Sequence, residues 1–203
     1  MNRIVRETGG IVLTYNDQLS DVYYHSTCGG FTADAEGVWE GKNIPYLRSI
    51  DDRDRCRMSP HFRWHFQVPG TKLLALLKTI TGETPVDLCP KEVDKNGWVK
   101  QIALIYPGGR EKILRGEEFH IFMGRSLGWN TFKSANFTFS KNGNTWEFTG
   151  KGLGHGVGLC QFGACALAQG GKDYREILAT YFPGAVIDTD WILTNTFMPN
   201  IRN

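Results

Sequence analysis

Glycine occupies every second position from Gly150 to Gly158, and this pattern constrains the fold more than any other feature of the chain. If the segment is extended, all five glycines point to one face, because side chains alternate across a strand. The opposite face then carries Lys151, Leu153, His155 and Val157. So many glycines weaken a strand, and a compensating reason is expected. Either the bare face admits a ligand or another chain, or it lets neighbouring backbone pack closely, with His155 as a hydrogen-bonded structural residue.

Length and charge exclude several classes of protein. A chain of 203 residues with 41% hydrophobic residues can bury a sizeable core, as one domain or as a domain with a lobe. The formal net charge is +2 and no basic stripe is visible, which argues against a nucleic-acid partner. No apolar run approaches the length of a membrane span, and residues 1–10 contain no signal-peptide core. If the domain works outside the cytoplasm, we expect its export signal on another part of the protein.

The hydrophobic pattern predicts an α+β fold with mixed antiparallel hairpins and a few packed helices. Strands are predicted at 10–15, 22–25, 98–106, 110–114, 136–139 and 145–148. Helices are predicted at 71–80, 117–127, 159–169 and 174–181. Asp173 and Glu176 have the spacing of a capping box before the last of these helices. We expect one domain over residues 1–203, with residues 66–127 as a candidate inserted lobe.

Hydroxyls, an imidazole and aromatic rings crowd around a glycine pair between Tyr24 and Thr32. Such a stretch suits carbohydrate recognition, because rings stack on sugar faces and hydroxyls pair with sugar hydroxyls. The nearby Trp39 and Tyr46 are more typical of a protein core, since large aromatic residues are mostly buried. Gln161, at the start of a helix rich in small residues, could exchange hydrogen bonds with a sugar.

The five cysteines are Cys28, Cys56, Cys89, Cys160 and Cys165, and none of them forms a C-x-x-C pair. A zinc ribbon is therefore not expected. Cys28 and Cys56 are the candidates for a disulfide, which would suit an exported protein. Two separate buried thiols are the plain alternative, and metal ligation by Cys28, Cys56 and His25 is a third. A Cys–His nucleophile built from Cys28 and His25 lacks an assignable third, orienting residue.

Three stretches of the chain together form a recognisable pattern. The first runs from Gly10 to Tyr15 and continues in Tyr24 to Thr32. The second combines Val38-Trp39, Pro45-Tyr46-Leu47 and Asp51-Asp52, and the third runs from Gly152 to Ala164, followed by Ala168, Gly170, Tyr174, Ile177, Leu178 and Tyr181. The third stretch is long and specific, and the three together resemble the stage II sporulation protein D family, which includes amidase-enhancer relatives. The resemblance covers about residues 5–187.

The resemblance implies a lytic transglycosylase that acts on glycan strands stripped of their peptides. A carboxylic acid protonates the glycosidic oxygen while the C6 hydroxyl of the sugar attacks the anomeric carbon, so one protonated carboxyl suffices. The glutamate that serves as this acid in the family precedes Met-Pro in a segment upstream of the hairpin, and this chain begins after that point. A Cys/His zinc-binding stretch of some members also lies upstream, so we expect no cofactor and no metal here.

The catalytic residue therefore stays unidentified. Glu36 and Glu40 flank Val38-Trp39 and are the candidate acids, and a solvated loop face is their ordinary role. The leading hypothesis is a peptidoglycan site whose substrate wall is built by residues 25–32 and 152–161. Its candidate binding residues are His25, Ser26, Thr27, Gly29, Gly30, Thr32, Gly154, His155, Gly156 and Gln161.

Two other hypotheses belong to different classes. A non-catalytic module could bind wall material and stimulate a partner amidase or another wall hydrolase. A cysteine-dependent enzyme would use Cys28 with His25 or His155. The family resemblance implies an extracytoplasmic location in the cell envelope, with glycan strands as partner and no nucleic acid.

Overall fold

The computed structural model describes residues 2–191 and confirms the α+β class. The helices are α1 (Asn2–Glu7), α2 (Ala35–Val38), α3 (Gly70–Thr81), α4 (Gly116–Leu127), α5 (Gln161–Gln169) and α6 (Tyr174–Tyr181). The strands are β1 (Val12–Tyr15), β2 (Gln18–Leu19), β3 (Tyr24–His25), β4 (Trp64–Pro69), β5 (Asp87–Val93), β6 (Val99–Ile105), β7 (Glu111–Arg115), β8 (Phe137–Asn142), β9 (Thr145–Gly150), β10 (Leu159–Cys160) and β11 (Val186–Asp188). Within this part of the chain, no helix is long and apolar enough to cross a membrane.

The strands of residues 2–191 form four small sheets. Their strand orders are β11-β1-β2, β10-β3, β4-β9-β8 and β5-β6-β7. The β10-β3 pair is parallel, whereas the pairs in the other three sheets are antiparallel. The predicted hairpins β6-β7 and β8-β9 are confirmed, since short turns join consecutive antiparallel strands.

The predicted return of the first hairpin over residues 22–25 is wrong. Asn16 and Asp17 both have positive φ, at 49° and 58°, which is the geometry of a tight two-residue hairpin turn. The partner strand must then begin immediately after the turn, and β2 does so. β3 is thereby free to pair with β10, far away in the sequence.

The helices end where their sequences indicate. In α3, Leu73 and Leu77 are buried one turn apart, and Gly82 ends the helix with φ of 78°. The helix predicted over 159–169 begins two residues later, because Leu159 and Cys160 form β10 instead. At α6, Asp173 and Glu176 form the predicted capping box.

The buried apolar side chains form two clusters. The first cluster contains residues between Trp64 and Phe148, packed between the sheets β4-β9-β8 and β5-β6-β7 and helices α3 and α4. The second contains buried residues from the ranges 28–56 and 157–182 together with Trp98 and Ala135. The first cluster extends beyond both ends of the predicted lobe at 66–127, and the lobe as a separate unit stays a prediction. The residues predicted to form the substrate wall lie on the second cluster.

Candidate functional site

The two stretches of the predicted substrate wall are neighbours in the fold. Tyr24 lies opposite Leu159, and His25 lies opposite Cys160, in the parallel β3-β10 pair. Isolated bridges join Thr27 to Leu153 and Ala33 to Val157. Backbone hydrogen bonds therefore hold residues 24–33 against residues 153–160 along most of their length.

The glycine-rich segment faces the protein's own atoms. Gly152, Gly154, Gly156 and Gly158 all have positive φ, between 71° and 103°, so the segment is not a regular strand. A Cβ at Gly156 would overlap the buried Trp98 ring, and one at Gly158 would overlap the Tyr23 carbonyl. The expectation of a bare face open to a ligand is therefore corrected, because the glycines permit both a left-handed backbone and close internal packing.

An aromatic cluster marks the surface side of the substrate wall. The Tyr23 ring lies 4.6 Å from the Trp39 ring, and the Trp39 ring lies 5.1 Å from the His155 ring, measured between centroids. All three side chains are half-buried, so each keeps part of its ring accessible. Tyr46, in contrast, is buried as a core residue, and its hydroxyl accepts a hydrogen bond from the Asp21 amide.

His155 and His25 are held neutral inside the wall. The amide of Val157 donates to Nδ1 of His155 at 3.1 Å, and burial lowers the pKa of His155 while the charge of Glu117 partly opposes the shift. Nδ1 of His25 is 3.1 Å from the Val157 carbonyl, and burial followed by the nearby His155 lowers the pKa of His25 to about 3. His25 therefore connects β3 to the glycine segment, and His155 offers its ring face.

An apolar groove opens beside this cluster. It has a volume of about 310 Å³, which is small for a ligand site. Its lining residues are Leu13, Val22, Tyr23, Tyr24, Leu159, Gln161, Leu178 and Phe182. Tyr24 is 67% exposed, and Gln161 is exposed at the start of α5. The groove thus combines aromatic faces with a single amide, a combination suited to one face of a sugar.

Several predicted binding residues are buried and paired within the protein. Thr27 Oγ1 lies 2.6 Å from Ser59 Oγ, and Thr32 Oγ1 accepts from the Ile50 amide at 2.7 Å. Gly29, Gly30 and Gly156 are buried as well. The predicted residues that keep exposed surface are Ser26, Gly154, His155 and Gln161. Contact with a glycan stays a prediction for the whole set.

A second constellation lies in the core behind the wall. Cys28, Asp52, Cys56 and Cys160 are all buried, and their ligand-type atoms lie within 4.8 Å of one another. Cys28 Sγ is 3.5 Å from Cys56 Sγ and 3.2 Å from Asp52 Oδ2. Asp52 and Cys160 were not predicted from the sequence to be members of this cluster. The signal available for Cys160 was its position, directly after the glycine segment and at the start of a predicted helix.

The cysteine chemistry of this cluster differs from that of a nucleophile. Cys28 is buried, and hydrogen bonds with Cys160 and Cys56 raise the pKa of its thiol, which disfavours an attacking thiolate. Hydrogen bonds from the Cys160 and Cys28 thiols lower the pKa of Cys56, so the sulfurs share one favoured thiolate position. His25, whose Nδ1 contacts a backbone carbonyl, is not part of this ligand-type cluster.

The predicted disulfide is not formed in this structure. Both cysteines are free, and their 3.5 Å separation exceeds the S–S bond length of about 2.05 Å. Whether the pair forms in an oxidising compartment stays a prediction. Cys89 is half-buried and Cys165 is exposed on α5, away from this cluster.

The chain is similar to known proteins along nearly its whole length. It is 33% identical to stage II sporulation protein D of Bacillus subtilis (strain 168) over 204 residues, which cover 96% of this chain and 52% of that protein. It is 31% identical to the protein of the same name from Bacillus amyloliquefaciens, over 90% of this chain and 49% of that protein. An amidase enhancer of Bacillus subtilis (strain 168) is 28% identical over 92% of this chain and 32% of its own length.

The resemblance to the stage II sporulation protein D family is confirmed. No protein-family model matches the chain. The chain spans about half the length of the two stage II sporulation protein D relatives, and less of the amidase enhancer.

The two candidate acids, Glu36 and Glu40, lie on the surface. Glu36 is exposed in α2 and forms an ion pair with Arg48 at 3.2 Å, and Glu40 is exposed beside Trp39. Burial commonly shifts the pKa of a catalytic acid, and neither of these side chains is buried. Their surroundings therefore agree with a solvated loop face.

Glu117 is a carboxylate that the sequence analysis did not single out as a site residue. It lies in the first turn of α4, and its side chain is only 11% exposed. Its Oε2 is 3.1 Å from Nδ1 of His120, and its charge acts on His155. The Glu-x-x-His spacing on a helix was the signal, since residues three apart share a helix face.

Proposed function

We propose that this chain binds peptidoglycan glycan strands and that, together with the family's upstream acid segment, it supports lytic transglycosylase cleavage of peptide-free strands. The observation that carries the proposal is the groove lined by Tyr23, Tyr24 and Gln161. It lies where residues 24–25 pair with residues 159–160. We also propose a location in the cell envelope. The stage II sporulation protein D relatives support a role connected with the cell wall in sporulation.

The chemistry of the reaction separates the role of the upstream acid, which is to transfer a proton, from the role of this chain, which is to position the sugar. The bond between the anomeric carbon and the glycosidic oxygen breaks while the C6 oxygen of the same sugar closes a ring onto that carbon, and the C6 hydroxyl loses its proton. The leaving oxygen needs one proton, which the upstream glutamate of the family would donate, and the resulting carboxylate would accept the proton of the C6 hydroxyl. The aromatic faces and Gln161 of this chain would hold the sugar rings in position. Because no water enters the reaction, an apolar groove is a suitable surface for it.

Binding is tested first with matched variants of this chain. Calorimetry with peptide-free glycan strands should show binding that Tyr24→Ala weakens by about 1 kcal/mol, roughly fivefold, because a stacking ring is lost. Tyr174→Ala is the control, since Tyr174 is also exposed but packs against Arg175 on α6. Gln161→Ala should weaken binding similarly, and Gln169→Ala, at the far end of α5, should not.

Two results would contradict this assignment. Absence of binding by the unaltered chain would remove the glycan proposal altogether. Equal effects of Tyr24→Ala and Tyr174→Ala would leave glycan binding intact but move it away from the groove.

Cleavage is tested with this chain and with a form extended through the upstream acid segment. Mass spectrometry of the digested strands should detect anhydro-muramic ends with the extended form alone. Ends produced by the short chain would place the acid among its own carboxylates, beginning with the half-buried Glu117 and continuing with Glu36 and Glu40.

The second candidate function is a non-catalytic module that stimulates a partner amidase. The similarity to an amidase enhancer favours it, and so does the apolar character of the groove, where Val22 is 51% exposed. Such a module should increase release of peptides from intact walls by an added amidase, while neither the short nor the extended form produces anhydro ends. A thiol-blocking reagent should leave both candidate functions unchanged.

A further inference from the structure

Four ligand-type side chains from distant parts of the chain meet in the second hydrophobic cluster. Cys28 follows β3, Asp52 precedes the 3₁₀ turn Arg55–Met58, Cys56 lies in that turn, and Cys160 ends β10 directly before α5. Each of the four residues has 0% relative exposure. We propose that Cys28, Asp52, Cys56 and Cys160 form a structural zinc site. This proposal does not rest on the proposed glycan function.

The distances agree with tetrahedral zinc coordination. Zinc binds thiolate sulfur at about 2.3 Å and carboxylate oxygen at about 2.0–2.2 Å, so neighbouring ligand atoms of a tetrahedron are roughly 3.5–3.8 Å apart. The measured separations from Cys28 Sγ are 3.5 Å to Cys56 Sγ and 3.2 Å to Asp52 Oδ2, and all four ligand atoms lie within 4.8 Å of one another. Sulfur-rich tetrahedral sets select zinc among the common divalent ions.

The atoms around the cluster support deprotonated ligands. The amides of Cys28 and Gly163 each lie 3.4 Å from Cys160 Sγ as donors, and the amide of Gly30 donates to Cys28 Sγ at 3.4 Å. Backbone N–H groups aimed at sulfur stabilise thiolates. Cys160 is also the N-cap of α5, where the helix dipole favours negative charge.

Asp52 is oriented by a second layer of contacts. The Tyr181 hydroxyl donates to Asp52 Oδ1 at 2.6 Å, and Arg55 lies 3.4 Å from the same oxygen. Oδ2 is thereby left facing Cys28. Gly163 allows this approach, because a Cβ there would overlap both the Tyr181 hydroxyl and the Asp52 carboxylate. Outer contacts that fix a ligand's direction are a common feature of metal sites.

A bound cation gives the cluster a physical purpose. Three thiolates and a carboxylate in one buried spot are costly unless they are paired, and a divalent ion would bond all four ligand atoms and offset two of their negative charges. The ion would tie the loop after β3, the 3₁₀ turn and the start of α5 to one point. The loop after β3 and the start of α5 belong to the predicted substrate wall, so the ion would hold its two stretches together.

The first test uses the chain as purified under reducing conditions. Elemental analysis should find about one zinc ion per chain. After chelation, added Co²⁺ should give the intense visible absorption of a tetrahedral thiolate complex, which zinc then displaces. Zinc should raise the midpoint of thermal unfolding of the chelated protein. A reduced chain without zinc and without a Co²⁺ spectrum would overturn the proposal.

Variants identify the ligands. Cys160→Ser and Asp52→Asn should lower zinc content and remove or alter the Co²⁺ spectrum, whereas Cys165→Ser, a matched exposed cysteine on the same helix, should behave as the unaltered chain. Tyr181→Phe should bind zinc about 10- to 100-fold more weakly, because the orientation of Asp52 is lost.

Two further outcomes refute the site even if a variant fails to fold. A purified chain whose intact mass and peptide map show a Cys28–Cys56 disulfide and no zinc would establish the predicted disulfide in its place. Zinc that is retained fully by both Cys160→Ser and Asp52→Asn would show that the ion binds elsewhere.

Discussion

Gly156→Ala tests whether the glycine-rich segment is dictated by internal packing. Gly156 has φ of 81°, where an alanine costs about 1–2 kcal/mol because its Cβ crowds the following carbonyl. The new methyl group would also overlap the Trp98 ring, which is only 3% exposed and cannot swing into solvent. Overpacking of this kind costs about 1–3 kcal/mol. The two contributions together predict a loss of about 2–5 kcal/mol in the free energy of unfolding.

The assay is urea unfolding with a matched glycine as control. Gly171 has φ of 87°, but a Cβ there would meet no heavy atom within 4 Å. Gly171→Ala should therefore show only the conformational cost of about 1–2 kcal/mol. The difference between the two variants measures the clash with Trp98. Thermal unfolding of Gly156→Ala should occur roughly 4–20 °C lower than that of the unaltered chain.

A double-mutant cycle identifies the ring as the obstacle. Trp98→Phe shortens the ring system that Gly156 faces, although it also removes the hydrogen bond from Trp98 Nε1 to the Phe31 carbonyl. The coupling energy of Gly156→Ala with Trp98→Phe should be about 1 kcal/mol in the favourable direction. Equal losses for Gly156→Ala and Gly171→Ala would refute the packing argument and restore the bare-face explanation.

Four other changes have defined outcomes. Burial lowers the pKa of His155 below its ordinary value of 6.5 and lowers that of His25 to about 3, so the unfolded chain takes up protons first and stability should fall as the pH drops below about 6.5. His155→Asn, which keeps an acceptor for the Val157 amide, should reduce the pH dependence of urea unfolding without removing it, because His25 still contributes. Leu73→Ala should cost about 2–5 kcal/mol in thermal or urea unfolding but leave glycan binding at low temperature unchanged, because Leu73 belongs to the first hydrophobic cluster. In native protein a thiol reagent should modify the exposed Cys165 fastest, as peptide mapping by mass spectrometry would show, and preferential labelling of a buried cysteine would contradict the structure. Glu36→Gln and Glu40→Gln should leave strand cleavage by the extended form unchanged, and loss of anhydro ends in either would make that exposed carboxylate the acid.

Local sequence predicted the elements that depend on local interactions. The apolar spacing of Leu73 and Leu77 with Gly82 predicted α3, and the Asp173 and Glu176 pair predicted the start of α6. The turn at Asn16 and Asp17 was also predicted, but its consequence was not. Positive φ at both positions fixed a two-residue hairpin, so β2 at Gln18–Leu19 took the pairing predicted for residues 22–25, and Tyr24–His25 pairs with β10 instead.

The sequence alone determined which stretches belong to the candidate site. Hydroxyls and aromatics before Thr32, and the glycine-rich run ending near Gln161, were recognisable because their composition suits no ordinary core strand or helix. Tertiary structure alone decided which faces these stretches expose. It buried the hydroxyls of Thr27 and Thr32 and left Tyr24 and Gln161 beside a groove.

Tertiary structure also decided the composition of the cysteine cluster. The contact between the Cys28 amide and Cys160 Sγ joins residues 132 positions apart, and Asp52 comes from a third segment. Neither the two-residue period of a strand nor the 3.6-residue period of a helix predicts such a contact, because the contact depends on how separate elements pack. The sequence supplied the side chains and the glycines that let backbones approach. The packing of β3, β10, α5 and α6 around a common core set the distances between them.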